Sequence, residues 1–160
     1  MRVVPLAGNH DRRIFNCGRP ELNDWLAKIA GQHQEKGLSK TFVAIHEQTP
    51  DRICGYSALT LAEIENRHLP EAMRKNLPTR IPGVRLGRLA VDKQFQRKGL
   101  GELLLIDALT RARRIYTEAG GIALFVDALD EHAAGFYRRF GFQSAPDNPL
   151  QLFLSAKIIK

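Results

Sequence analysis

The stretch Gln96-Arg97-Lys98-Gly99-Leu100-Gly101 decides the fold of this chain, because it joins two strongly patterned segments. An apolar run over 84–91 precedes it, and a helical pattern over 100–117 follows it. We therefore predict a strand, a tight turn and a helix. Glycines let the backbone of such a turn approach an anion closely, and the first N–H groups of a helix add donors and partial positive charge. The turn predicts a phosphate-binding site, while a strand-to-helix connection without a ligand remains the alternative.

Two common nucleotide-binding loops are excluded by the spacing of this turn. It lacks the G-x-x-x-x-G-K-[ST] pattern of a Walker loop. It also lacks G-x-G-x-x-G followed about 20 positions later by an acidic residue, which marks a dinucleotide site.

The remaining pattern predicts an α/β or α+β fold, with a mixed sheet flanked by helices in one domain over 1–160. A parallel crossover is expected because a strand, a helix and another strand follow one another around the turn. The long connection over 63–83 holds three prolines and many charges, so it is expected to carry at most one helical turn. The other expected elements are an edge strand over 2–6, a helix from Pro20 with the buried stripe Leu22, Trp25, Leu26 and Ile29, a short helix over 31–36, a hairpin of 41–45 with 53–61, a strand over 122–127, a helix from Asp130 to Arg139 and a closing strand over 150–158.

Length and composition narrow the class of protein. A chain of 160 residues can bury about 68–70% of its unfolded surface without disulfides or metals. Cys17 and Cys54 lie far apart without metal-ligand spacing, so we expect buried reduced thiols and no metal site. We find neither a signal peptide nor an apolar run of about 20 residues, and therefore expect a soluble, cytoplasmic protein.

The positive charge is concentrated in one segment. Residues 67–114 hold 12 Lys or Arg and 4 Asp or Glu, a surplus of eight, whereas the rest of the chain holds 12 and 13. One phosphorylated cofactor does not need so many cations, so the segment suggests a second polyanionic ligand, with RNA as the first candidate. A solvated basic face is the alternative.

A second block, residues 128–142, completes a resemblance to the GNAT superfamily of N-acetyltransferases. The turn resembles their acetyl-CoA pyrophosphate loop, Q-x-x-G-x-G. The block is similar to their signature N-x-x-A-x-x-F-Y-x-x-x-G-F, with Asp130 in the usual Asn position, where it can cap the helix. The resemblance implies acetyl-CoA as the cofactor. It also implies a GNAT fold, in which the strands before the turn and after its helix splay apart to admit the pantetheine arm.

Tyr137 is the residue of this block that we expect to act as a general acid. Its phenol, with an ordinary pKa of about 10, can donate a proton to a departing thiolate whose conjugate acid has a pKa near 8.5. An acceptor α-amino group, with a pKa of roughly 7.7–8.0, needs no strong base. Glu63 and Glu65 are candidate bases for a more basic amine.

Residues 15–26, 37–44 and 86–101 narrow the resemblance to the acetyltransferase toxins of bacterial toxin-antitoxin pairs. That family acetylates the α-amino group of aminoacyl-tRNA and so blocks translation. A small antitoxin with a ribbon-helix-helix DNA-binding half neutralises it, and the toxin protomers commonly dimerise. These properties are what the resemblance implies, whereas the localised positive charge is independent of it.

The resemblance assigns roles to individual residues. Catalysis falls to Tyr137, and a backbone N–H of 89–91 is expected to stabilise the oxyanion. The expected cofactor contacts are Leu89, Ala90, Val91, Gln96, Arg97, Lys98, Gly99, Leu100, Gly101, Asp130, Ala133 and Phe136. The candidates for tRNA phosphates are Arg85, Arg88, Lys93 and Arg138.

Two other functions stay open on the sequence alone. The first is an N-acetyltransferase for a small amine or a protein, for which an acidic acceptor pocket is expected. The second is a non-catalytic acyl-CoA-binding regulator, against which Tyr137 argues.

Overall fold

The structure, a computed structural model, describes residues 1–159, in which seven strands form one mixed sheet flanked by helices. The strands are β1 (Arg2–Pro5), β2 (Lys40–Ile45), β3 (Gly55–Glu65), β4 (Arg80–Val91), β5 (Ala123–Asp127), β6 (Gln143–Ala145) and β7 (Asn148–Ser155). The helices are α1 (Pro20–Lys28), α2 (Ala30–Glu35), α3 (Glu71–Arg74), α4 (Leu100–Ala119) and α5 (Glu131–Arg139), with 3₁₀ turns at Asn66–His68 and Lys93–Phe95.

The strand order is β1-β2-β3-β4-β5-β7-β6. The predicted parallel crossover is confirmed: β4 pairs with β5 in parallel from Val84↔Leu124 to Leu86↔Val126, and α4 connects the two strands in the chain. The pairs β1–β2, β2–β3, β5–β7 and β6–β7 are antiparallel.

The chain divides into two compact units. The first unit consists of Met1–Thr60 and Gly87–Ala108. Its larger core buries the apolar stripe of α1, Leu22, Trp25 and Leu26, with Tyr56 and Ala90. A second cluster packs the start of α4, Leu100 and Leu104, against Ala44 and Cys54. The sequence stripe of α1 is therefore core packing, as predicted, up to Leu26.

The second unit consists of Leu61–Leu86 and the chain from Leu109 onward. In it, β5 pairs with β7 from Ala123↔Ser155 to Asp127↔Gln151. The rings of Phe125 and Phe153 meet edge to face, with centroids 5.4 Å apart, in the core of this unit.

The expectation of a long connection over 63–83 is wrong at both ends, because β3 continues to Glu65 and β4 starts at Arg80. The intervening segment is closed by Asn66, whose side chain donates to the carbonyl of Pro78 at 2.9 Å and whose N–H donates to the carbonyl of Thr79 at 2.7 Å. Pro82 fits within β4 because its carbonyl accepts from the N–H of Ile122 at 2.9 Å, and a proline keeps that acceptor.

Three smaller expectations need correction. Ile29 is not part of the buried stripe: α1 ends at Lys28, and the side chain of Ile29 is 39% exposed. The closing strand ends at Ser155, which leaves Ile158 59% exposed. The three-residue strand β6 was not predicted.

The two cysteines are free thiols, Cys54 buried and Cys17 half-buried, and burial raises the pKa of both. Among residues 1–159, none of the helices combines the length and the apolar character that a membrane crossing requires.

Candidate active site

The predicted phosphate turn begins where β4 ends, at a buried carboxylate. Asp92 is 3% exposed, and its Oδ1 accepts from the N–H of Gln94 at 2.9 Å, which caps the 3₁₀ turn Lys93–Phe95. Its Oδ2 accepts from the N–H of Asn16 at 3.0 Å, and Arg52 lies 3.8 Å from Oδ1. The carboxylate therefore fixes the point from which the loop leaves the sheet.

The loop then passes through two left-handed residues before α4 starts. Arg97 has φ +63° and Gly99 has φ +80°. A non-glycine residue at positive φ costs about 1–2 kcal/mol and is concentrated at functional sites. Alternating backbone conformations of this kind turn successive N–H groups toward one side, which makes a concavity for an anion.

The face of this loop is open and cationic. A Cβ built on Gly99 would have no neighbour within 4 Å, so its side of the backbone is accessible. The side chains of Arg97 and Lys98 are exposed, and the first N–H groups of α4 lack intrahelical acceptors. A cavity of about 140 Å³ adjoins the loop, lined by Met1, Phe95, Lys98, Gly99, Leu100 and Leu103.

A set of hydrogen bonds that we did not predict, here called the brace, holds this loop in the first unit. Gln96 Nε2 donates to the carbonyl of Val91 at 2.9 Å and to that of Cys17 at 3.1 Å. The N–H of Lys93 donates to the carbonyl of Asn16 at 2.9 Å. The Gln96 side-chain amide is therefore bound by the protein itself.

Asn16 is the centre of the brace. Its Oδ1 accepts from the N–H of Gly18 at 2.9 Å and from Asn23 Nδ2 at 3.1 Å. Asn23 Oδ1 in turn accepts from the N–H of Cys17 at 2.9 Å, so α1 is tied to the same turn. The sequence contained one signal for this role, since Asn16 and Asn23 both lie in the segment 15–26 of the family resemblance.

Residues at the end of β4 alternate between two faces. Leu89 and Val91 pack against the cluster that contains Leu100, whereas Ala90 belongs to the core that contains Trp25. The side chains of Leu89 and Val91 are therefore partly buried by packing.

In the second unit, Asp130 caps α5 as predicted. Its Oδ1 accepts from the N–H of Ala133 at 2.9 Å, a bond that the amide oxygen of the usual asparagine, which has the same reach, would also make. Ala134, one residue further, is fully buried.

Tyr137 lies on the buried face of α5 and is 7% exposed. Its ring contacts those of Phe136 and Phe142, with centroids 5.3 and 5.4 Å away. Burial raises the pKa of the Tyr137 phenol above its ordinary value. The phenol therefore keeps its proton at neutral pH. Within residues 1–159 its hydroxyl has no hydrogen-bond partner, so the proton is available to a ligand.

The four basic residues expected at tRNA phosphates differ in their surroundings. Arg85 pairs with Asp127, and Arg138 pairs with Glu131 while donating to Ser144 Oγ at 3.1 Å. Their guanidinium groups are therefore held by the protein. The two others, Arg88 and Lys93, form no ion pair within the described part of the chain; Arg88 lies over an indole ring and Lys93 is exposed.

The two carboxylates considered as bases are both paired with arginines, Glu63 with Arg80 at 3.2 Å and Glu65 with Arg67 at 2.7 Å. The hydrogen bond from Arg67 lowers the pKa of the Glu65 carboxyl, which makes it a weaker base. Over residues 1–159, no three His, Cys, Asp or Glu side chains are grouped so as to hold a metal ion.

Comparison with known proteins identifies the family. Residues 37–144 match the acetyltransferase (GNAT) domain. The chain belongs to the GNAT acetyltransferases. The cofactor of this family is acetyl-CoA, and the family assignment agrees with the open loop at the start of α4.

Three similar proteins narrow the comparison within the GNAT acetyltransferases. A tRNA-acetylating toxin of Mycobacterium tuberculosis is 36% identical over 147 residues, 92% of this chain and 87% of the toxin. The structure of AtaT complexed with acetyl-methionyl-tRNAfMet has a TM-score of 0.90 and 29% identity, covering 98% of this chain and 95% of AtaT. A tyrosine-to-phenylalanine mutant of AtaT, bound to the C-terminus of the antitoxin AtaR and acetyl-CoA, has a TM-score of 0.82 and 28% identity, covering 99% and 94%.

Proposed function

We propose that this chain is a toxin that transfers the acetyl group of acetyl-CoA to the α-amino group of an aminoacyl-tRNA. The observation that carries the proposal is the open, left-handed, cationic loop at the start of α4, in a chain similar to a tRNA-acetylating toxin. The surplus of eight positive charges over 67–114 supports a nucleic acid as the second substrate.

The loop residues fit a diphosphate. The positive φ of Arg97 and Gly99 suits a loop whose backbone N–H groups would donate to an anion. The positive end of α4 favours an anion, and the exposed Arg97 and Lys98 add full charges. The bound cofactor would supply the acetyl group as a thioester, which an amine can attack. Backbone groups of Leu89 and Val91 would hold the pantetheine arm, and one N–H of this strand would stabilise the oxyanion.

Tyr137 is proposed as the proton donor to the leaving sulfur. Overall, the new amide forms between the amine nitrogen and the acetyl carbon, the carbon–sulfur bond breaks, and one proton passes from nitrogen to sulfur. Burial keeps the Tyr137 phenol protonated, and its hydroxyl has no partner that would compete for the proton within 1–159. Its raised pKa makes complete transfer to a thiolate unfavourable at equilibrium, so Tyr137 donates as the sulfur charge develops and regains a proton from the attacking nitrogen.

This reaction would stop translation for a chemical reason. Peptide-bond formation needs a free α-amino group on the incoming aminoacyl-tRNA, and acetylation turns that group into an amide without a nucleophilic lone pair. A supporting test is a cell-free translation mixture, where protein plus acetyl-CoA should halt synthesis and protein without acetyl-CoA should not.

The partners proposed are an antitoxin with a ribbon-helix-helix DNA-binding half and a second copy of the toxin in a homodimer. An antitoxin partner is supported by the AtaT structure that contains the C-terminus of AtaR, and its ribbon-helix-helix half is what the family resemblance implies. Copurification with the product of an adjacent small reading frame, and the mass of the purified toxin in solution, test the two partners separately.

The experiment that tests the proposed function offers competing acceptors to the purified protein with radiolabelled acetyl-CoA. Charged tRNA should take the label, and mild alkaline hydrolysis should release it as N-acetyl amino acid. Uncharged tRNA, free amino acids and lysine-containing peptides are the controls. Label on a peptide or small amine but not on charged tRNA would favour the alternative acetyltransferase, and binding without transfer to any acceptor would favour the non-catalytic regulator.

A further inference from the structure

We propose that Arg88, held against Trp25, is the subsite for a backbone phosphodiester near the aminoacylated end of the acceptor RNA. This inference rests on the proposed function. It singles out Arg88 from the four candidates for tRNA phosphates and assigns to it a specific group of the substrate.

The guanidinium of Arg88 has a fixed platform. Its Cζ lies 4.3 Å from the centroid of the Trp25 ring, the distance of a close cation–π contact. Trp25 is 5% exposed and stacks on Tyr56, with ring planes 8° apart and centroids 6.1 Å apart. The Tyr56 hydroxyl donates to the carbonyl of Leu22 at 2.7 Å, so the stack under the guanidinium is anchored to α1.

The Arg88 guanidinium has no counter-ion within residues 1–159. Arg88 is half-buried, yet within residues 1–159 no carboxylate pairs with it and no acceptor takes its N–H groups. Arg85 and Arg138 show the usual arrangement, in which a partly buried guanidinium has a carboxylate partner. A cation–π contact uses none of the guanidinium N–H donors, so they remain available to bind two phosphate oxygens at once.

The anion at Arg88 is not the diphosphate of the cofactor. Arg88 and Ala90 lie on the face of β4 that packs with Trp25, whereas Leu89 and Val91 face the cluster that contains Leu100. Because the cofactor loop leads into α4 at Leu100, Arg88 points to the opposite face of the strand. The remaining anion in the reaction is the phosphodiester backbone of the RNA.

The test compares Arg88→Met with the unchanged protein on two acceptors, an aminoacylated 3′-terminal trinucleotide and an aminoacyl adenosine that has no phosphodiester. Methionine keeps an unbranched apolar chain over Trp25 and removes the charge. We expect kcat/KM to fall about 10- to 100-fold on the trinucleotide, the range for losing a charge-assisted hydrogen-bonded pair, and by less than about twofold on the adenosine. The affinity for acetyl-CoA should not change.

Three further measurements keep the test decisive. Arg13→Met, which removes an exposed arginine outside the basic segment 67–114, should leave the rates on both acceptors unchanged. Arg88→Lys should lose part of the activity on the trinucleotide, because it keeps the charge but not the planar pair of donors. With full aminoacyl-tRNA, the slope of log kcat/KM against log salt should become shallower by about 0.7 in Arg88→Met, the value for one single-strand phosphate contact.

Equal losses on both acceptors, or an unchanged salt slope, would overturn the phosphodiester subsite. The proposed function fails separately, if the unchanged protein acetylates no aminoacylated RNA. Activity of the unchanged protein on aminoacyl-tRNA together with full activity of Arg88→Met would reject the subsite alone.

Discussion

Replacing Gly99 with alanine tests whether the loop at the start of α4 holds the diphosphate. Gly99 has φ +80°, and a Cβ placed there would touch nothing within 4 Å. Gly37→Ala is a matched control, because Gly37 has φ +76° and equally open surroundings at the end of α2. Both alanines carry the same left-handed strain of about 1–2 kcal/mol.

The two variants should therefore lose the same stability but differ in cofactor affinity. Each should unfold about 2–8 °C below the unchanged protein, given that 1 kcal/mol shifts the midpoint of a chain of this size by roughly 2–4 °C. Only Gly99→Ala puts a methyl group on the face that the diphosphate would occupy, so its Kd for acetyl-CoA should rise at least about tenfold.

Titration calorimetry and thermal unfolding with and without acetyl-CoA measure both effects. At a ligand concentration of about 100 times the unchanged Kd, the unchanged protein and Gly37→Ala should each gain about 2.7 kcal/mol, and Gly99→Ala about 1.3 kcal/mol less. If Gly99→Ala binds acetyl-CoA as tightly as Gly37→Ala does, the assignment of this loop is wrong.

Three other predictions concern the acid, its ionisation and the brace. Tyr137→Phe should lower kcat about 100-fold or more and retain the affinity for acetyl-CoA. Tyr116, whose pKa is also raised by burial, gives the control Tyr116→Phe, which should keep the unchanged kcat. Comparable rates for the two variants would remove Tyr137 from the mechanism. Because burial raises the pKa of Tyr137, the phenol stays protonated as the pH rises. The value of kcat/KM should therefore increase through the pKa of the acceptor amine, near 8, and then stay level to at least about pH 10. A decline of kcat/KM between about pH 8.5 and 9.5 would contradict this. Asn16→Ala should weaken acetyl-CoA binding about three- to tenfold, measured by calorimetry, because it leaves two hydrogen-bond donors of the brace without their acceptor. The control Asn9→Ala, which removes an exposed hydrogen bond to Asp51, should leave the affinity for acetyl-CoA unchanged.

The parts of the fold that were predictable are those whose cause is local in the sequence. The buried stripe of α1 and the Asp130 cap each depend on residues within one or two turns. The predicted strand, loop and helix around Gly99 are confirmed for the same reason.

The brace could not be predicted because its bonds join distant residues. Asn16 and Asp92 are 76 positions apart, and Cys17 and Gln96 are 79 apart. Nothing in the spacing of a single sequence reveals such pairs. The sequence indicated Arg85 as a free cation for the same reason, since its partner Asp127 lies 42 positions away.

The extended ends of β3 and β4 were missed because proline was treated as a strand breaker. Pro82 is exposed within β4 and uses only its carbonyl, which a proline retains.

A crystal structure with bound coenzyme A tests the central claim most directly. We predict that the diphosphate oxygens will lie within hydrogen-bond distance, about 2.7–3.2 Å, of the backbone nitrogens of 97–101. A diphosphate bound elsewhere on the protein, with the N–H groups of this loop facing solvent, would contradict the account.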